Sequence, residues 1–274
     1  MTKNLDNKGL KSIVNDYDFF FIDLWGVVHN GIELHKKAID VLIKISQAKK
    51  DYILITNAPR PNRIVKLFLE KMGMDKNIRE KVYTSGEAAL NYLKKSYLDQ
   101  SFYHIGPPRD FDLFVEFKNN KTQNINESSY LLCTGLYDQN DQDLNYYKDL
   151  LINHISKKMI CTNPDLIVDR GEKREYCAGS VAMVFENLGG KVVYFGKPYP
   201  EIYNFCRKKN ETVLAIGDNI RTDIKGANNM KFDSLFITGG VHKDEFLNLS
   251  LEKYDKVLEQ YGTKTDYYQE RLTW

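Results

Sequence analysis

Short apolar runs alternate along the chain with stretches of helical period, the pattern of a parallel α/β sheet. Phe19-Phe20-Phe21-Ile22 contains no polar position and predicts a central strand buried on both faces. Its carboxyl end runs into Asp23-Leu24-Trp25-Gly26. From about Lys36 the period changes, with Ala38, Leu42 and Ile45 on one helix face. Tyr52-Ile53-Leu54-Ile55 predicts a second buried strand, ending in Thr56-Asn57. Pro61 suits the first turn of the next helix, whose expected apolar stripe is Ile64, Leu67, Phe68 and Met72. Thr212 to Ile216 predicts a third strand, ending in Gly217-Asp218, and Ser234 to Ile237 a fourth. Ligands of open parallel sheets sit beyond the carboxyl ends of the strands. Asp23, Thr56 and Asp218 therefore mark the candidate site.

The middle of the chain breaks this rhythm. Gly106-Pro107-Pro108 interrupts it, and Lys118 to Ser129 is polar without period, which predicts a surface loop. Around that stretch lie strand and helix candidates at Tyr130 to Thr134, Leu144 to Ile155 and Met159 to Thr162. The reading is a second α/β unit over residues 83–190, inserted into a first formed by 1–82 and 191–274. A strand at Val192 to Tyr194 then belongs to the first unit. The tail from Leu251 carries a helical stretch, and its terminal Trp274 is expected to dock on that unit.

Composition narrows the classes. The 274 residues are 42% hydrophobic and 28% charged, which excludes global disorder. Lys and Arg number 39 against 37 Asp and Glu, a net +2, without the basic excess of a nucleic-acid binder. The basic pairs Lys49-Lys50, Lys94-Lys95, Lys157-Lys158 and Lys208-Lys209 are scattered and read as solvated helix ends. No run reaches the 18 or so apolar residues of a membrane span, and the amino terminus has no signal-peptide core. Cys133, Cys161, Cys177 and Cys206 show no metal-ligand spacing and read as reduced thiols of a cytoplasmic protein.

The strand ends carry the chemistry. A carboxylate at Asp23 can act as a nucleophile or hold a metal. Asp218, Asn219 and Asp223 follow another strand, with Gly217 easing the turn, and clustered carboxylates call for a divalent cation. An all-oxygen set favours Mg²⁺ over zinc. Thr56 and Asn57 offer a hydroxyl and turn amides to phosphate oxygens, and Lys197 a point charge for phosphate or carboxylate. Singly, each Asp is more simply a turn former. Their order along the chain is what turn chemistry leaves unexplained.

That order resembles the haloacid dehalogenase superfamily, in its class IIA, NagD-like and 4-nitrophenylphosphatase-like branch. Phe21-Ile22-Asp23-Leu24-Trp25-Gly26-Val27-Val28 resembles the first motif, and Ile53-Leu54-Ile55-Thr56-Asn57 the second. Gly196-Lys197-Pro198 resembles the third, and Ile216-Gly217-Asp218-Asn219-Ile220-Arg221-Thr222-Asp223-Ile224 the fourth. Cys161-Thr162-Asn163-Pro164-Asp165 resembles a segment near the end of the branch's cap. The resemblance implies a Rossmann-like core with a parallel sheet and an inserted α/β cap domain of the class IIA type. It implies Asp23 as nucleophile forming an aspartyl-phosphate, Thr56 as a phosphoryl-binding group, and Lys197 offsetting the charge of Asp23. It further implies Mg²⁺ held by Asp23, Asp218 and the Trp25 carbonyl, with Asp223 in support. Caps of this branch often mediate dimers, so a homodimer through the cap stays open.

Two positions depart from the branch. Its phosphatases carry a second Asp two residues after the nucleophile, as general acid and base. Here Trp25 stands there, without a titratable proton. His29 is a candidate replacement, though the branch favours packing at that position. Ala58-Pro59-Arg60 replaces the usual second Asn, which makes Arg60 a candidate contact for substrate or else a solvated arginine. The leading expectation is a cytoplasmic, Mg²⁺-dependent phosphohydrolase acting on a small phosphorylated metabolite. The alternative is a weak or inactive relative that binds a phosphorylated ligand or partner. Nucleotide binding by the core is the poorest reading, since no G-x-G-x-x-G follows a strand.

Overall fold

In the computed structural model, residues 2–170, 173–204, 206, 211–247 and 249–274 are described. The pair Lys208-Lys209 lies outside them. The strands are, in chain order, β1 (Lys3–Asn4), β2 (Phe19–Asp23), β3 (Asp51–Thr56), β4 (Val82–Thr84), β5 (Phe102–Ile105), β6 (Lys121–Thr122) and β7 (Tyr130–Cys133). They continue as β8 (Lys158–Cys161), β9 (Ile167–Arg170), β10 (Lys173–Tyr176), β11 (Lys191–Tyr194), β12 (Val213–Gly217), β13 (Asp233–Ile237) and β14 (Tyr267–Gln269). Seven of them form one parallel sheet in the order β1-β14-β13-β12-β2-β3-β4. Five form a second parallel sheet, β11-β8-β7-β5-β6. β9 and β10 make an antiparallel hairpin of their own.

The apolar run of β2 is explained by its place. It is paired on both edges, by β3 and β12, and covered on both faces. Phe20 and Ile22 pack under Ala38, Leu42 and Ile45 of the helix Lys36–Gln47, with Val65 and Leu69 of the helix Asn62–Lys71. Phe19 and Phe21 pack the other way, against Ile202, Tyr203 and Ala227. Burial of each such phenylalanine contributes about 1.5–3 kcal/mol. The second sheet repeats the sandwich. Phe102, Tyr130, Leu132 and Ile160 face the helix Ser85–Ser96, while Leu131, Cys133, Met159 and Cys161 face the helices Leu144–Leu151 and Ala178–Asn187. Its strands come from between β4 and β12, so an α/β unit is inserted into a Rossmann-like one. The tail is docked as expected: β14 fills the slot between β1 and β13, and Trp274 packs on the first core.

Three expectations need revision. The helix Asn62–Lys71 buries Val65 and Leu69, whereas Leu67 and Phe68 are 52% and 36% exposed. Two apolar stripes run along it, and the one formed by Val65 and Leu69, four residues apart, faces the sheet. The stretch from Lys118 to Ser129 holds more than a loop, since β6 pairs with β5 and a 3-10 turn follows at Ile125–Glu127. β11 pairs with β8 on the edge of the second sheet, not the first. A four-residue apolar run does not reveal which of two parallel sheets will accept it. Among the described residues no helix is long and apolar enough to cross a membrane.

Candidate active site

Asp23 is the last residue of β2, and Asp218 follows the end of β12, the neighbouring strand. Adjacent parallel strands bring both carboxylates to one rim of the sheet. Asp223 joins them from a single π-helical turn, Ile220–Ile224, which Asn219 caps with its side chain on the Arg221 N–H at 2.9 Å. One ligand oxygen from each of Asp23, Asp218 and Asp223 lies within 4.8 Å of the others. All three are buried, at 4–6% exposure.

Lys197 enters this cluster from the segment after β11. Its ammonium donates to Asp23 Oδ1 and, at 2.6 Å, to Asp223 Oδ1. Burial works against the charged lysine, but Asp223, Asp23 and Asp165 outweigh it and hold its pKa well above the ordinary value. Burial pushes the Asp23 carboxyl up to about 8, against the pull of Lys197, and raises Asp218 well above the carboxylate range. One ammonium serves three buried carboxyl groups whose joint ionisation burial and mutual repulsion oppose; a divalent cation would allow all three to ionise, and the donors are all oxygen. The residues therefore fit Mg²⁺.

The turns around Asp218 are built for closeness. Gly26 has φ +86°, and a Cβ there would lie 2.1 Å from Asp218 Oδ2. A Cβ on Gly240 would lie 2.0 Å from the same oxygen. The carboxylate is thus wedged between two glycine turns, and the Val241 N–H donates to its Oδ2 at 2.8 Å. The Trp25–Gly26 backbone lies against this rim.

Asn57 fixes the lysine rather than presenting its amide to solvent. Its Oδ1 accepts the Lys197 N–H at 2.7 Å, and its Nδ2 donates to the Lys197 carbonyl at 3.0 Å and to Asp165 at 3.2 Å. Asp165, from the inserted unit, also accepts from Asn219 at 3.5 Å, and burial raises its carboxyl to about 6. Thr56 is buried at the end of β3, its hydroxyl accepting the Ala58 N–H at 3.3 Å. Arg60 is directed elsewhere. It pairs with Asp112 of the inserted unit at 2.8 Å, beside Arg63 at 3.2 Å. His29 is buried between Trp25 and Phe68, and its Nδ1 accepts the Gly31 N–H at 3.0 Å. Burial lowers its pKa to about 4, so it is neutral at physiological pH.

The sequence reading missed a contact from the inserted unit. The Trp25 indole donates to the backbone carbonyl of Asp169 on β9 at 2.5 Å. Arg174 on β10 holds Asp169 with Nε and Nη2, at 2.8 and 3.0 Å. Its sequence signal is the pair of short runs, Ile167 to Arg170 and Lys173 to Tyr176, on either side of Gly171. A groove of about 630 Å³ beside the helix Asn62–Lys71 includes none of the cluster residues.

A parallel α/β sheet with an acidic rim, a bridging lysine and an inserted α/β unit defines a class, the Rossmann-like hydrolases that carry a cap. A family model described as haloacid dehalogenase-like hydrolase matches residues 20–118, and a HAD-hydrolase-like model matches residues 194–263. A haloacid dehalogenase-like hydrolase from Brucella suis 1330 is 30% identical, with a TM-score of 0.82 over 97% of this chain and 99% of that one. The p-nitrophenyl phosphatase from Archaeoglobus fulgidus shares the fold at 18% identity, with a TM-score of 0.70 over 93% and 97% of the chains. The 5'-nucleotidase YutF of Bacillus subtilis (strain 168) is 25% identical over 247 residues, 86% of this chain and 93% of its own. The chain belongs to the haloacid dehalogenase-like hydrolases, in the phosphatase-like class IIA branch.

Proposed function

We propose that the protein is a cytoplasmic, Mg²⁺-dependent phosphohydrolase that acts on a small phosphorylated metabolite through Asp23. The observation that carries this reading is the buried cluster in which Lys197 bridges Asp23 and Asp223 beside Asp218. Lys197 holds Asp23 Oδ1, which leaves Oδ2 to attack phosphorus. The bond from phosphorus to the ester oxygen breaks as the aspartyl-phosphate forms, and water then releases inorganic phosphate and the carboxylate. Mg²⁺ held by Asp23, Asp218 and the Trp25 carbonyl, with Asp223 behind them, would offset the phosphoryl charge. Thr56 would bind a phosphoryl oxygen. Asn57 supports this arrangement by holding Lys197 in place.

On this reading the second sheet, with β11 on its edge, is the cap over a core formed by the first. The four cysteines are free thiols, three of them buried, which suits a reducing compartment. Neither the Trp25 indole nor neutral His29 is acidic enough near neutral pH to protonate a departing alkoxide. The preferred substrates are then those whose leaving oxygen needs little help, aryl and acyl phosphates ahead of alkyl esters. Because a relative is named as a 5'-nucleotidase, nucleoside monophosphates belong in the same panel.

The test is phosphate release from p-nitrophenyl phosphate, acetyl phosphate, sugar phosphates and nucleoside monophosphates, with MgCl₂ and with EDTA. Turnover that needs Mg²⁺ and disappears in Asp23→Asn is expected. Tight Mg²⁺ and phosphate binding with no turnover of any ester would overturn the hydrolase reading in favour of a binding protein.

A further inference from the structure

The hairpin β9–β10 leaves the inserted unit and meets the acidic rim on two sides. On one side its Asp169 carbonyl accepts the Trp25 indole N–H at 2.5 Å. On the other, Arg174 Nη2 donates to the Val241 carbonyl at 3.1 Å while the same guanidinium clasps the Asp169 carboxylate. Val241 is the residue whose N–H donates to Asp218 Oδ2 at 2.8 Å. Trp25 leads directly into Gly26, the other turn pressed against that oxygen. The two turns that wedge Asp218 are thus the two turns the hairpin touches.

We propose that Asp169 and Arg174 are positioning residues of the active site. They tie the Trp25–Gly26 turn to the Gly240–Val241 turn from above and so fix the orientation of the Asp218 carboxylate. The inference rests on reading Asp218 as a cation ligand. It also supplies a physical reason for the tryptophan. An ionised carboxylate at position 25 is an acceptor only and cannot bond a carbonyl, whereas the indole N–H can. The Arg174 side chain is half exposed, so its ion pair adds little to global stability. Its effect belongs to ligand orientation, where partners beyond the ligand shell typically matter about 10–100-fold in metal affinity.

The experiment is calorimetric titration of the full chain with MgCl₂, alongside Trp25 emission read in a Trp274→Phe background. Arg174→Ala is expected to weaken Mg²⁺ binding by about 10-fold with an unchanged melting temperature, and to shift Trp25 emission to the red. Arg174→Lys, which keeps the charge but loses the fork, should recover only part of the affinity. Trp25→Phe should weaken binding by a similar factor, and combining it with Arg174→Ala should add little, because both act through one hairpin. Mg²⁺ binding by the natural protein that is indifferent to Arg174→Ala and Arg174→Lys overturns this inference alone. No Mg²⁺ binding by the natural protein overturns the metal reading and this inference with it.

Discussion

The indole at position 25 and the imidazole at position 29 are stacked edge to face 5.1 Å apart, and neither holds a proton that chemistry near neutral pH can use. Indole does not titrate there, and His29 is buried and neutral. Trp25→Asp restores a titratable group but removes the hairpin's donor. Absolute rates are therefore expected to fall for aryl phosphates, while the ratio of alkyl to aryl kcat/KM rises toward about 10²-fold. An unchanged ratio would mean that the leaving oxygen already finds its proton elsewhere. Asp23, Lys197 and Asp218, which the fold brings together, were legible because each closely follows an apolar run, and Asp223 because it sits in the turn after β12. Asp169 and Arg174 were not, because their partners Trp25 and Val241 lie far away in sequence and only the folded hairpin brings them together.

Among the elements, periodicity gave the helix Asn62–Lys71 but not its orientation, since Ile64, Leu67 and Phe68 compete with Val65 and Leu69 for the same sheet. The carboxyl edge of the second sheet was read only as a Gly-Pro-Pro break. It holds a buried polar group of Asp110, Thr134 and His104, with His104 Nε2 2.9 Å from Thr134 Oγ1. Burial raises the Asp110 carboxyl to about 6, although Thr134 and nearby arginines oppose the shift. Above the ordinary carboxylate range the unfolded chain has released a proton that the folded one retains. Stability is then full below about pH 4, falls as pH rises toward 6, and is level beyond, a loss of up to about 3 kcal/mol. Asp110→Asn should flatten that slope and be the more stable protein at pH 7. Denaturant midpoints measured from pH 4 to 7 check this, and parallel curves for the two proteins would refute it.

Over the whole molecule, the acidic rim lies where both units contribute, with Asp165 and Lys197 following strands of the second sheet and Asp23 and Asp218 those of the first. Without metal, the Asp23 carboxyl at about 8 keeps its proton through neutrality. Its share of stability is present at low pH and is lost as pH climbs through that value. On the Mg²⁺ reading the cation would have to displace that proton, and its affinity would rise over the same range. The melting-temperature gain from MgCl₂ over EDTA should therefore be larger at about pH 8.5 than at about pH 6. A gain independent of pH would separate the cation from Asp23.

The neighbours of β2 in the first sheet have a consequence for synthesis on the ribosome. β3 follows it closely, but β12, which pairs along its other edge, emerges only after the inserted unit has been made. At about 5–20 residues per second, the gap of about 190 residues keeps that edge waiting for about 10–40 s. Throughout that interval the apolar run Phe19 to Ile22 has one unpaired edge, the kind of edge that invites wrong pairing, while four of the five strands of the second sheet, β5 to β8, are made within it.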